Sequence, residues 1–334
     1  MTPHDVPPPE LLDLATGYQR SQTLFALVAL GVPTILSLRP LALGPLAEAM
    51  RVDRLAADRF LNACVALGLL TREGDVFANT PVSERFLAQG SPAYIGDQFS
   101  RYAATSYPLW SDLAGRLRAW VPGATDADDP DDDDQGAASM RAQHTFSLLV
   151  GRALGRAFDF KSHRVLLDLG GGSGAMAIGA CEENPALRAV VLDLPQIAPV
   201  AEEMISRAKL ADRVRVVSGD FKRDALPEGF DVALLANLLS VSSEATNREL
   251  LARIYDALPA GGAVILSGWV LDDARTSPVV PVLFCLEDIN RRAPDVERTG
   301  ATYAEWLHDA GFVDVTRGMY CPPTSMVVGY KRGG

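Results

Sequence analysis

The chain has 334 residues, 48% of them hydrophobic and 22% charged, which suits a soluble globular protein with room for two domains. Its formal net charge of −11 argues against a nucleic-acid partner, because binding a polyanion needs a basic face. No apolar stretch approaches the ~18 residues that span a bilayer, and the N-terminus shows no basic region followed by an apolar core. A cytosolic protein without a membrane partner is expected.

Residues 10 to 38 place apolar side chains at helical spacing, with Leu11, Leu12 and Leu14 followed by Leu24, Phe25, Leu27 and Val28. This predicts two or more amphipathic helices. The next stretch reads helix, turn, helix, then a hairpin turning at Glu73-Gly74-Asp75, which is the order of a winged helix. Its second helix, near Asp53 to Leu67, carries Arg54 and Arg59 offset by Asp53 and Asp58, so it offers little to phosphates. A dimerisation module is the expectation over a DNA reader.

Residues 101 to 157 read as a helical connector. Within it, residues 125 to 135 hold seven aspartates with a proline and no large apolar residue. Charge repulsion there predicts a mobile, solvated loop, and nothing in the run would fix metal ligands. The four cysteines, Cys64, Cys181, Cys285 and Cys321, lack CxxC spacing and read as thiols in a reducing compartment, without a disulfide set or a metal site.

From Val165 the pattern changes to strands alternating with helices. VLLDL at 165–169 is followed at once by Gly170, Gly171, Gly172 and Gly174, a helix to Glu183, and the strand AVVLDL ending near Asp193. Glycines after a buried strand let the chain turn sharply and let a ligand lie against bare backbone beside a helix N-terminus. Asp193 stands 21 residues beyond Gly172, where a carboxylate can accept hydrogen bonds from ribose hydroxyls. A bound nucleoside follows. RVRVVSGDF, DVALLANLL, GGAVILSGW, FVDVTRGMY and TSMVVGYKR are the remaining strands, with helices near 243–258 and 303–311. The fold class is α/β, a doubly wound and mainly parallel sheet at 158–334 behind a helical winged-helix unit at 1–100. Ligands of such sheets bind outside the carboxyl ends of the strands, so Asp168, Asp193, Asp220 and Ser240 are the positions of interest.

The glycines fall as D-x-G-G-G-S-G rather than GxGxxG, and this loop resembles the S-adenosylmethionine loop of Rossmann-like methyltransferases. With the winged helix first and the strand ends in order, residues 10 to 332 resemble the dimeric small-molecule O-methyltransferases, which include plant caffeic-acid-type and bacterial antibiotic-tailoring enzymes. The resemblance implies S-adenosylmethionine as cofactor, S-adenosylhomocysteine as product, a small-molecule acceptor and a homodimer. Gly170 and Gly172 match the loop beside the methionine tail, and Asp193 matches the ribose-binding acid. Asp220 and Phe221 match the pair that holds adenine. Any of these acids alone could merely cap the helix that follows.

The catalytic positions depart from the pattern. Ser240 stands where the family has a histidine base, Gly268 where it has an acid that orients this base, and Ala236 where many members have a lysine or small polar residue. Glu297 retains the later acid. His144 lies on a helix that lines the acceptor pocket in this family, and Glu287 and Asp288 lie in the region that closes over the acceptor. Tyr102, Tyr107 and Trp110 are candidates for an aromatic pocket wall. A serine hydroxyl is too weak a base to deprotonate a phenol. The expectation is methyl transfer to oxygen or carbon by proximity and orientation, onto an acceptor already anionic or carbanion-like. The alternative is a relative that binds the cofactor but carries out hydroxylation, decarboxylation or rearrangement.

Overall fold

The computed structural model describes residues 8–121, 133–291 and 298–333. Most of the acidic run, at 125–132, lies outside the described residues. The chain divides into two compact units, Met1–Pro108 and Leu109–Gly334, so the segment read as a connector at 101–157 is split between them.

The first unit opens with helices α1 (Pro9–Ala15), α2 (Gly17–Ala29) and α3 (Val32–Leu38). After β1 (Leu41–Ala42) come α4 (Leu43–Met50) and α5 (Arg54–Ala66), then β2 (Leu70–Glu73) and β3 (Val76–Asn79), which form the expected hairpin. Helices α6 (Pro81–Phe86) and α7 (Gly96–Arg101) follow. Asp53 does more than offset Arg54. Its carboxylate accepts the Leu55 and Ala56 N–H groups at 2.9 and 3.3 Å and so starts α5. The three strands pair in the order β1-β3-β2, over a core that includes Leu27, Leu46, Leu61 and Phe77. Among the described residues, no single helix is long and apolar enough to cross a membrane.

A π-helical turn at Tyr102–Ser106 leads into α8 (Tyr107–Trp110), within which the division between units falls. The second unit continues with α9 (Leu113–Ala119), α10 (Asp133–Ala157), β4 (Val165–Leu169), α11 (Ala175–Glu183) and β5 (Arg188–Asp193). Then come α12 (Ala198–Arg207), β6 (Val214–Ser218), β7 (Val232–Ala236), α13 (Glu244–Ala257) and β8 (Ala263–Gly268). Helices α14 (Val279–Arg291) and α15 (Gly300–Asp309) precede β9 (Val313–Cys321) and β10 (Thr324–Tyr330). The seven strands lie in the order β6-β5-β4-β7-β8-β10-β9, parallel except for β10, and the direction of winding reverses at β4.

Strand residues alternate between two cores. Leu166, Val191, Val232, Leu234 and Ile265 pack with Leu154 of α10, Ile178 of α11 and Ile205 of α12. Leu167, Leu169, Val190, Leu192, Leu235 and Leu266 pack with Leu251 and Ile254 of α13 and Trp306 of α15. Burial on both faces explains why these strands read as continuous apolar runs. Each fully buried Leu or Ile contributes roughly 1.5–3 kcal/mol.

The segment DVALLANLL does not remain extended to its end. β7 stops at Ala236, Asn237 takes a left-handed φ of 54°, and Leu239–Val241 forms a 3-10 turn. Leu238 and Leu239 are buried in this turn, while Asn247 Nδ2 donates to the Leu239 carbonyl at 2.8 Å and holds it. Apolar burial alone therefore mimicked strand. Helices α10 and α11 meet through glycines: a Cβ on Gly179 would stand 2.5 Å from Arg152 N, and one on Gly151 2.8 Å from Met176 Cα. At the sheet edge, the β9–β10 register shifts between Thr324 and Ser325 and again between Val328 and Tyr330, and Asp314 has a φ of 51°.

Candidate cofactor and acceptor site

The loop after β4 folds back onto β5. Gly170 and Gly171 N–H donate to the Leu192 carbonyl at 2.8 and 3.4 Å, and Gly174 N–H donates to Gly171 O at 2.8 Å. Gly170, Gly172 and Gly174 have φ of 60°, 57° and 70°, a region costly for other side chains. Close approach is the second reason for glycine. A Cβ on Gly172 would meet Met140 Sδ at 2.7 Å, and one on Gly170 would meet Leu238 Cδ1 at 2.6 Å. The loop is thus clasped by α10 on one side and by the turn after β7 on the other. Gly174 then caps α11, whose first N–H groups point back to the loop.

Two carboxylates sit at this loop. Asp193, at the end of β5, accepts Gly172 N–H on Oδ2 at 2.6 Å and Leu194 N–H on Oδ1 at 2.7 Å. Each oxygen keeps a lone pair for another donor. Burial pushes its carboxyl above the usual range, against these two bonds. Asp168 is fully buried within β4, where desolvation raises its pKa to about 7, with the nearby Asp193 charge adding to the rise. Its Oδ2 accepts Ala177 N–H at 3.2 Å, while Oδ1 has no partner among the described residues.

Asp220 is drawn into local structure. Its Oδ1 accepts Lys222 N–H at 2.9 Å, closing an Asx turn, and Oδ2 lies 3.7 Å from Arg223. Phe221 is half-buried at the edge of the core, and Arg253 binds its carbonyl at 2.7 Å. Both residues lie just past β6, so Asp193, Asp220 and the glycine loop stand at the carboxyl ends of adjacent strands.

Among the residues expected near the acceptor, Ser240 Oγ donates to Asn237 O at 3.0 Å, which fixes the side chain on the turn. Gly268 is buried at the end of β8. His144, on α10, bonds through Nδ1 to Ser173 Oγ of the glycine loop at 2.8 Å, and burial lowers its pKa so that the imidazole is neutral at pH 7. Trp110 Nε1 donates to the buried Glu287 carboxylate at 2.5 Å. Glu297 and the side chain of Asp288 lie outside the described residues. His163 stacks on Phe158, with ring centroids 5.4 Å apart, and His308 lies against the Phe312 carbonyl. All four cysteines are free, and burial lifts Cys64 and Cys181 to about 12. Met140 and Ser173, which brace the loop, carried no sequence signal of their own, because their importance comes from which residues α10 brings over the glycines.

The O-methyltransferase domain family matches residues 122–313, and the O-methyltransferase dimerisation domain matches residues 12–89. The 3-hydroxy-5-methyl-1-naphthoate 3-O-methyltransferase of Streptomyces sahachiroi is 34% identical, over 98% of this chain and 97% of its own length. The tetracenomycin polyketide synthesis 8-O-methyl transferase of Streptomyces glaucescens is also 34% identical, over 99% of each chain. The crystal structure of human N-acetylserotonin methyltransferase in complex with S-adenosylmethionine superposes with a TM-score of 0.86 at 28% identity, over 99% of this chain and 100% of that one. S-adenosylmethionine is the family's cofactor, and the site suits it. The bare backbone of Gly170 and Gly172, beside an Asp193 carboxylate that keeps lone pairs for ribose hydroxyls, fits its nucleoside and amino-acid parts. A helical dimerisation unit, a seven-stranded sheet and this loop place the chain in the small-molecule, S-adenosylmethionine-dependent O-methyltransferase family.

Proposed function

We propose that this chain methylates a small aromatic metabolite whose acceptor atom is already anionic, and that it does so by holding the acceptor rather than by deprotonating it. When bound, S-adenosylmethionine supplies an electrophilic methyl group for in-line displacement. Gly170, Gly172 and the Asp193 carboxylate hold the cofactor, with Asp220 and Phe221 beside its adenine. His144 acts as a brace, fixing Ser173 and hence the loop. Support for the aromatic acceptor comes from the naphthoate and tetracenomycin enzymes, each matched over nearly its whole length. The setting is bacterial specialised metabolism in the cytosol.

One observation carries the base-free reading: the side chain at the family's base position is Ser240, a hydroxyl too weakly basic to take a phenol's proton, fixed on its turn by donating to Asn237 O. Correct placement of two reactants supplies up to ~7–11 kcal/mol of the barrier. The test is a set of phenols graded in acidity, assayed across pH with S-adenosylhomocysteine quantified against product. The rate should rise with the ionised fraction of each acceptor, and Ser240→Ala should leave the shape of that pH dependence unchanged, because no proton transfer is lost. An ascending limb fixed at one pH for every phenol would mark a base on the protein and refute the reading. Product without matching S-adenosylhomocysteine would instead favour the non-methylating alternative.

A further inference from the structure

Asn237 is held by its backbone at the carboxyl end of β7. Its N–H donates to Ser267 O of β8 at 2.8 Å, and its carbonyl accepts Ser240 Oγ at 3.0 Å. The residue adopts a left-handed φ of 54°, which asparagine tolerates better than most residues. Its side chain is exposed and has no hydrogen bond among the described residues. The carboxamide also lies over Gly268: a Cβ built there would stand 3.0 Å from Asn237 Oδ1 and 3.9 Å from its Cγ. The space that an acidic side chain at 268 would enter is therefore filled by a neutral amide from the neighbouring strand.

The exchange has a chemical consequence. A carboxylate between the ends of β7 and β8 would repel an anionic acceptor, whereas a carboxamide can donate N–H to it and cannot take a proton. The geometry points to Asn237 as the residue that holds the ionised acceptor oxygen. The acceptor class is then an acidic hydroxyl, either a phenol conjugated to a carbonyl or an enolised 1,3-dicarbonyl. This inference rests on the base-free reading above. In the transfer, a lone pair of the acceptor oxyanion forms the new O–CH3 bond as the C–S bond breaks. The electron pair of that bond stays on sulfur as a neutral thioether, and no proton moves. Gly268 is the permissive partner, since any side chain there would press on the amide.

The test uses the full-length protein loaded with S-adenosylhomocysteine and 4-nitrophenol as the probe, whose visible band reports its ionisation. Wild type should bind the phenolate about tenfold more tightly than the phenol, lowering the apparent pKa of the bound probe by about one unit. Asn237→Ala should abolish that preference and Asn237→Asp should reverse it, with the affinity for S-adenosylhomocysteine unchanged within twofold as evidence of an intact fold. A wild type without the preference, or an Asn237→Ala that keeps it, overturns the inference. The base-free reading is tested separately by calorimetry in two buffers of different ionisation enthalpy, below the pKa of the free probe. One proton per bound phenolate should appear in the buffer. If the protein retains that proton, the base-free reading falls and takes this inference with it. If the proton is released but Asn237 is without effect, only the inference falls.

Discussion

Gly179→Ala sets two effects of opposite sign against each other. In an ordinary helix, replacing glycine by alanine gains ~1 kcal/mol from backbone propensity. Gly179 sits in the middle of α11, but its added Cβ would stand 2.5 Å from Arg152 N, 2.6 Å from Gly151 C and 2.8 Å from Leu148 O. All three atoms belong to the backbone of α10, so none can rotate away. Restoring ordinary contact requires the helices to part by about 1 Å, at the upper end of the ~1–3 kcal/mol cost of overpacking. Against the propensity gain, the net loss is about 2 kcal/mol. At about 2–4 °C per kcal/mol for a unit of this size, Tm should fall by roughly 4–8 °C. Gly44→Ala in α4 is the control, because its Cβ would meet nothing within 4 Å. That variant should be neutral or slightly stabilised. Thermal unfolding followed by near-ultraviolet circular dichroism decides the matter, and a Gly179→Ala protein as stable as wild type would refute the packing argument. Since α10 also carries Met140 and His144 against the glycine loop, cofactor affinity should weaken with stability.

Asp193→Ala removes two charge-assisted bonds to the backbone, at 2.6 and 2.7 Å, along with the carboxylate offered to the cofactor. At ~1.5–3 kcal/mol for a bond to a charged group, the Kd for S-adenosylhomocysteine should rise at least about tenfold. A titration showing less than a threefold change would remove Asp193 from the site. Asp168 gives stability a pH dependence. Its pKa is about 7 in the fold and 3.8 as a free side chain, so between these values the native state holds a proton that the unfolded chain has lost. Stability attributable to this group therefore falls as pH rises from about 4 to 7 and is flat above. Asp168→Asn should flatten that fall, as read from urea midpoints at pH 5 and pH 7. Parallel profiles for the two proteins would contradict the assignment.

The second unit was largely legible because its strands are buried on both faces. VLLDL and the core of GGAVILSGW became β4 and β8 since nothing but a central strand accommodates such runs between turn signals. DVALLANLL looks longer as a strand than β7 is, because Leu238 and Leu239 are as apolar as the strand they follow. Only Asn247, reaching back from α13, makes the turn explicit. Spacing alone singles out Gly170, Gly172 and Asp193, whereas nothing in it marks the Asp168 oxygen that has no partner among the described residues. Its state depends on what lies around β4 in three dimensions. The same holds for Gly179, an unremarkable helix residue until α10 is laid across it, and for Asn237, which acquires meaning only through the absent side chain of Gly268 on the next strand. Patterns along the chain identify elements and local motifs. Contacts between elements distant in sequence decide which polar groups remain free to act.

The outer strand β9 leaves a nine-residue edge, mostly exposed, at one side of the sheet. A straight edge of that length would present a row of N–H and C=O groups to any other extended chain. Here the two register slips against β10, the left-handed Asp314 and the Arg317–Asp273 ion pair at 2.7 Å break up and charge that row. This edge of the sheet is thus closed to lateral growth. The residues that match the O-methyltransferase dimerisation domain, 12–89, contribute no strand to this sheet.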